Sequence, residues 1–152
     1  MQPTAGDDDI ERLYRRLKAY GRLVRHDRRL TGPRVDTVTV RSPLCGSELT
    51  LDAVIAAERV QQLGWAVRAC SLGQATTGIV VAHQGELQAR EVRAIGAQLE
   101  SILKGEARTS DWPELQIFAF AQDIPVRHGS ALLPFRALEQ LFERARRRHA
   151  HA

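Results

Sequence analysis

The chain has 152 residues, a formal charge of +4, 43% hydrophobic and 26% charged residues. That length suits one compact domain, and the composition is that of an ordinary globular protein, which excludes disordered and collagen-like chains. No apolar run approaches the roughly 20 residues of a membrane-spanning helix, and the aromatic content of 5% poorly supplies a platform for stacking single-stranded bases.

The start, Met1 to Asp9, is polar and acidic, the wrong composition for a secretory signal peptide, so a cytoplasmic location is expected. Basic residues gather around Arg22 to Arg34 and in Arg144, Arg146, Arg147 and Arg148, while the middle of the chain is nearly balanced. Charge at two ends reads as a solvated helix face and a tail rather than a phosphate-binding surface, and neither nucleic acid nor membrane is expected as a partner. A single domain over 1–152 follows, with 1–7 and 147–152 as frayed ends.

Ile10, Leu13, Tyr14, Leu17 and Val24 recur at helical spacing behind the acidic Asp7 to Asp9, which predicts a first helix from about Asp8 to Tyr20. His26 to Arg34 has no period and contains Gly32 and Pro33, a linking loop. Alternation then predicts three strands, over Thr37 to Val40, Glu48 to Ile55 and Leu63 to Ala69, and their short connections imply antiparallel neighbours. After Ala69 the period becomes helical. Leu72, Ala75, Thr76, Ile79 and Val80 form one stripe, with Ser71 as its cap and Gly85 at its end. Val92, Ile95, Leu99, Ile102 and Leu103 form the next, closed by Lys104 and Gly105. Glu106 to Pro125 is ambiguous: Pro113 suits a short helix through Phe118, and Pro125 favours extended chain. Pro134 opens the last helix, with Phe135, Leu138, Leu141, Phe142 and Ala145 inward. Strands first and helices afterwards predict an α+β fold, a small three-stranded antiparallel sheet with helices packed on one face.

Only two cysteines are present, and the expected compartment disfavours a disulfide, so each is either a buried small hydrophobe or chemically employed. Cys45 sits in Ser42-Pro43-Leu44-Cys45-Gly46-Ser47, in the turn between the first two strands. Cys70 sits where the third strand passes into a helix, where unpaired N–H groups and the helix dipole stabilise a thiolate. If the outer strands both flank the second, the two sulfurs converge at one edge of the sheet. Their spacing of 25 positions matches no closed zinc pattern. Gly-rich phosphate loops, nucleophile elbows and HExxH patterns are absent from the sequence, so a nucleotide-driven or hydrolytic enzyme has little support.

Three blocks between Ser42 and Phe142 are more informative than the spacing. Pro43-Leu44-Cys45-Gly46 leads into a strand, and Ala69-Cys70-Ser71-Leu72-Gly73-Gln74-Ala75 leads into a helix. Pro125-Val126-Arg127 is followed by Ser130-Ala131-Leu132-Leu133-Pro134-Phe135. In order and separation these resemble the cysteine blocks of the iron-sulfur cluster assembly scaffold family, proteins similar to the amino-terminal domain of the nitrogen-fixation scaffold and its housekeeping counterparts.

The resemblance implies a non-enzymatic scaffold or carrier that holds iron or a labile [2Fe-2S] cluster, with zinc as a possible substitute, and passes it to acceptor proteins, with a cysteine desulfurase as partner. It implies Cys45 and Cys70 as ligands. Two positions depart from the pattern: the aspartate after Cys-Gly46 is Ser47, and the third cysteine is Ser130. A hydroxyl is a poor ligand for soft iron-sulfide chemistry. An imidazole can take a thiolate's place, so His128 is the candidate third ligand, placed on the face of Ser130 if the segment after Arg127 is extended. Two further readings stay open: a docking module without a cluster, and a zinc-bound sulfur carrier using Cys70.

Overall fold

The computed structural model describes residues 5–150; Met1 to Thr4 and the last two residues, and with them part of the expected frayed ends, lie outside the described residues. The first helix, α1, runs Ala5–Arg22. Three strands follow, β1 (Asp36–Arg41), β2 (Glu48–Ala56) and β3 (Arg59–Arg68), paired antiparallel in the order β1-β2-β3. Helices α2 (Ser71–Ala82), α3 (Ala89–Leu103) and α4 (His128–Ala150) complete the α+β architecture, with 3-10 turns over Pro113–Asp123 and Pro125–Arg127. Among the described residues no helix is long and apolar enough to cross a membrane.

The sheet follows the period-two pattern. Leu49, Leu51, Ala53 and Ile55 of β2 are buried on one face, opposite Val40, Val38, Val67, Trp65 and Leu63 of its neighbours. Helix α4 packs across β1 and β2 with Leu138, Leu141, Phe142 and Ala145 buried, and α2 is wedged between α1 and α4. Gly78 of α2 lies so close against the Tyr20 carbonyl of α1 that a side chain there would overlap it. On α1 Leu17 is buried, and Val24 is buried just past the helix end, while Ile10 and Tyr14, expected inward, are exposed. The helix begins ahead of the layer it packs on, so its first two turns have no element to cover them.

The opposite face of the sheet is covered only around Asp52. Arg28 exchanges backbone hydrogen bonds with Trp65 at the edge of β3, at 2.9 and 2.7 Å. The chain then folds over Gly64, where a Cβ would meet the Arg28 carbonyl oxygen at 2.6 Å. It delivers Arg29 and the Leu30 N–H to the fully buried Asp52. Asp52 accepts from Arg29 Nε at 2.8 Å, from Leu30 N at 2.9 Å and from Thr37 Oγ1 at 2.6 Å. A buried carboxylate is tolerable only when so saturated.

Four local expectations are corrected. Cys70, not Ser71, is the N-cap residue of α2, in extended conformation. The segment after Pro125 is helical, not extended, and α4 starts at His128 with Pro134 inside it. The two prolines thus exchange roles. Pro125 has the fixed φ of a first helical turn and opens the run, whereas Pro134 only removes the N–H that the Ser130 carbonyl would otherwise accept. Helix α4 also continues to Ala150, past the expected end near Arg146, tied down by Arg146 on Glu58 and Arg148 on Asp36. His83, expected to be structural, closes α2. Its ring stacks on Trp112 with centroids 3.9 Å apart and lies between the carboxylates of Glu86 and Glu114. Burial pushes its pKa down, but the two carboxylates outweigh burial and hold it above the ordinary value.

A two-thiol pocket at the end of the sheet

Strand register explains why residues far apart in sequence meet. Glu48, the first residue of β2, pairs with Arg41, the last of β1, and with Arg68, the last of β3. The β1–β2 loop and the residues that follow β3 therefore leave the sheet at the same end. The loop is closed by Ser42 N–H donating to the Ser47 carbonyl at 2.8 Å and Gly46 N–H to the Ser42 carbonyl at 3.0 Å. Gly46 has φ +73°, which a residue with a side chain rarely adopts, so the tight bend that presents Cys45 needs glycine there.

Between the two cysteines stands a pair of serines. The Cys45 thiol donates to Ser47 Oγ at 3.3 Å, and the Cys70 thiol to Ser130 Oγ at 3.2 Å. Ser130 Oγ donates in turn to Ser47 Oγ at 3.0 Å, and the Cys70 N–H donates to Ser47 Oγ at 3.2 Å. The serines are buried, whereas both thiols are free and half-buried. Two sulfurs 25 positions apart thus lean on one shared hydroxyl pair. Sequence alone marks Ser47 and Ser130 only as replaced ligand positions; their structural part is to hold the thiols.

The surroundings favour thiolate at both positions. Burial pushes the Cys45 thiol up, but the hydroxyls of Ser42, Ser47 and Ser130 and the Ser47 N–H outweigh it and hold the thiol below its ordinary pKa. For Cys70, burial is again the largest influence upward, and the Ser130 hydroxyl with the N–H groups of Gly73 and Leu72 more than reverse it. Those N–H groups belong to the first turn of α2, which carries no acidic residue to oppose a negative sulfur. Gly73 also allows the close approach of α4: a Cβ there would meet Ser130 Oγ at 2.5 Å.

Ser42 was not legible from sequence. Its hydroxyl is buried, lies against Gly129 and makes no hydrogen bond of good geometry, an unsatisfied polar atom beside Cys45. Such an atom at a pocket edge is one that a bound polar group would satisfy.

His128 stands apart from this cluster. Its Nε2 is 2.6 Å from the Ala121 carbonyl oxygen. Because the segment is helical, His128 and Ser130 no longer share a face, since residues two apart on a helix point in different directions. Among the described residues no group of three His, Cys, Asp or Glu side chains is gathered as a metal site. Arg127 and Gly46 are exposed on the two segments that flank the pocket.

This geometry can be set beside known proteins. No protein-family model and no curated protein matches the chain. Solved structures do. The amino-terminal region of a nitrogen-fixing NifU-like protein from Brucella abortus is 28% identical, with a TM-score of 0.76 over 86% of this chain and 92% of that one. A scaffold protein for iron-sulfur cluster assembly in the SUF system of Fervidobacterium islandicum AW-1 has a TM-score of 0.71 at 18% identity, over 82% of this chain and 91% of that one. A third structure, titled only as a hypothetical protein, reaches 0.71 at 16% identity.

The fold and the three motif blocks together define what the chain is similar to: the scaffold proteins of iron-sulfur cluster assembly. It departs from the pattern named for that family at two positions, with serine at 47 and 130.

Proposed function

We propose that the protein is a scaffold or carrier that takes iron or a labile [2Fe-2S] cluster as cargo on Cys45 and Cys70 and releases it to acceptor proteins, receiving sulfur from a cysteine desulfurase. One observation carries this reading: two half-buried thiols, both biased toward thiolate, lean on the same Ser47–Ser130 pair. Inert structural cysteines sit in apolar surroundings that raise their pKa, and these do the opposite. Thiolate is the ligand that soft iron-sulfide cargo requires. The orphaned Ser42 hydroxyl and the acid-free first turn of α2 suit an anionic sulfide-bearing guest. His128 is left out of the proposed ligand set because its Nε2 is engaged by Ala121. No helix of the described residues can cross a membrane, and the reading takes the protein to work in the cytoplasm.

Anaerobic reconstitution with iron and sulfide, read by absorption and Mössbauer spectra, tests it. Wild type should develop sulfide-to-iron charge-transfer bands that a Cys45→Ser, Cys70→Ser double variant lacks. Identical spectra for both proteins would overturn the reading, and retention of a desulfurase by the double variant would then favour a docking module without cargo.

A further inference from the structure

We infer that Cys45 and Cys70 also work as a two-electron redox pair: sulfane sulfur taken up on Cys45 leaves as sulfide when Cys70 closes a disulfide with it. This deepens the reading that the pocket receives sulfur from a desulfurase, on which it rests, by assigning the electrons that turn that sulfur into sulfide.

Sulfur handed on by a desulfurase travels as the outer atom of a persulfide, whereas a cluster contains sulfide, so each atom must gain two electrons on the way. Two thiols give up that number when they form one disulfide. The chain holds two cysteines in all, and both stand in this pocket. Ser47 Oγ lies 3.3 Å from Cys45 Sγ and 3.2 Å from the Cys70 backbone nitrogen, so a single atom stands between the first thiol and the second cysteine. Ser130 Oγ, 3.2 Å from Cys70 Sγ, is 3.0 Å from that same atom.

Position divides the roles. Cys45 lies on the loop between Leu44, 72% exposed, and the exposed Gly46, where a donor can reach it. Cys70 caps α2, its carbonyl accepting from the Gln74 N–H at 3.0 Å and its sulfur held against the buried Ser130. The Cys45 thiolate attacks the outer sulfur of a donor persulfide, the donor's S–S bond breaks, and the donor leaves as thiolate while the transferred sulfur keeps its proton. The Cys70 thiolate then attacks Cys45 Sγ. The bond from Cys45 Sγ to the transferred sulfur breaks, the electron pair departs with that sulfur as HS−, and the Cys45–Cys70 bond forms. Sulfane sulfur is reduced and two thiols are oxidised. A dithiol reductant, by the same exchange on the disulfide, restores both thiols before they take cargo. Closure strands no buried hydroxyl: Ser130 Oγ still donates to Ser47 Oγ, which still accepts from the Cys70 N–H.

The test mixes the full chain, reduced and freed of small thiols without oxygen, with a limiting amount of glutathione persulfide, and reads released sulfide and intact mass. Wild type should release one sulfide for each persulfide consumed and become lighter by two hydrogens, with Cys45 and Cys70 joined in the peptide map. Cys70→Ser should instead keep one extra sulfur atom on Cys45 and release roughly tenfold less sulfide. A persulfide that persists on wild type, equal sulfide release from Cys70→Ser, glutathione rather than sulfur left on Cys45, or a disulfide between two chains would overturn the redox pair. The cargo reading fails separately. Charge-transfer bands on reconstitution of the reduced protein with iron and preformed sulfide, without sulfide release here, would overturn the redox pair alone, and sulfide release without those bands would overturn the cargo reading alone.

Discussion

Ser130 Oγ lies 3.0 Å from Ser47 Oγ across 83 residues of chain, and each hydroxyl is in turn the acceptor for one of the two thiols. Both serines stand where the resemblance to the scaffold family implies ligands. What this chain gathers at those positions is two thiols and the hydroxyls that tune them.

The tuning is measurable. Ser130→Ala removes a hydroxyl that lowers the pKa of both thiols, so both should rise. Iodoacetamide alkylation followed across pH should show its midpoint shifted upward. The neutral-pH rate should fall only about two-fold, because a more basic thiolate is also a better nucleophile. An unchanged pH profile would show that the hydroxyl pair does not govern the sulfurs.

Ligand content is tested from the other side by Ser130→Cys and His128→Ala. The first places a third sulfur where Ser130 Oγ already touches Cys70 Sγ at 3.2 Å, and cobalt or cadmium titration should give tighter binding with a stronger thiolate charge-transfer band. The second removes a ring held at Ala121, and the same titration should match wild type. Weakened binding in His128→Ala would restore the histidine to the ligand set.

Much of this architecture is legible in the sequence. The β-branched alternation of Thr37 to Val40 and of Glu48 to Ile55 gives the strands, and the register of Glu48 then brings the two cysteine segments to one end. What is not legible depends on contacts without local period. Asp52 alternates outward along β2 and reads as a solvated residue, yet it is fully buried because the aperiodic segment around Arg28 to Leu30 covers it. His128 could be placed only by choosing which proline opens a helix, and Pro125 and Pro134 are equally good openers when read alone. The Ser42 hydroxyl carries no sequence signal at all, since its burial depends on Gly129 of a distant helix.

Asp52 supplies a prediction for acid stability. Burial pushes its pKa up, but hydrogen bonds from Arg29, Thr37 and the Leu30 N–H outweigh it and hold the carboxyl below the usual value. A carboxylate of depressed pKa contributes stability that is full above the unfolded value of about 4 and is lost as pH falls through the lower folded one. Urea midpoints should therefore decline below about pH 4 in wild type, with a smaller decline in Asp52→Asn. At neutral pH the variant should be less stable by about 1–2 kcal/mol, because its one carbonyl oxygen can keep Arg29 Nε and the Leu30 N–H but its NH2 group then faces the second Arg29 nitrogen where the carboxylate accepted. Parallel curves for the two proteins would contradict this.

The β2–β3 turn is a place where stability can be gained. Ala57 and Glu58 have φ of 52° and 61°, the left-handed pair of a tight hairpin that Asn-Gly adopts with less strain. Changing Ala57→Asn together with Glu58→Gly gives up the exposed Glu58–Arg146 ion pair, worth well under 1 kcal/mol, and should still raise stability by about 1 kcal/mol. Thermal unfolding would show an increase of a few degrees, and a decrease would mean that the ion pair matters more than the backbone.

Gly73 links the pocket to the packing of α4. A methyl group there meets Ser130 Oγ at 2.5 Å, Ala69 Cβ at 2.8 Å and the Ser130 carbonyl oxygen at 3.1 Å, so Gly73→Ala must push α4 away from α2 at the level of the thiols. Overpacking of this sort costs about 1–3 kcal/mol. The displacement also takes the Ser130 hydroxyl from Cys70, so the thiol should become less acidic in the variant, as in Ser130→Ala. Stability and thiol titration should therefore move together in Gly73→Ala. In Ser130→Ala, which removes an atom and adds no overlap, the titration should shift with a much smaller change in unfolding midpoint. If Gly73→Ala lowered stability with the Cys70 titration unchanged, the approach of α4 would serve the core alone, and the glycine would have no part in tuning the sulfur.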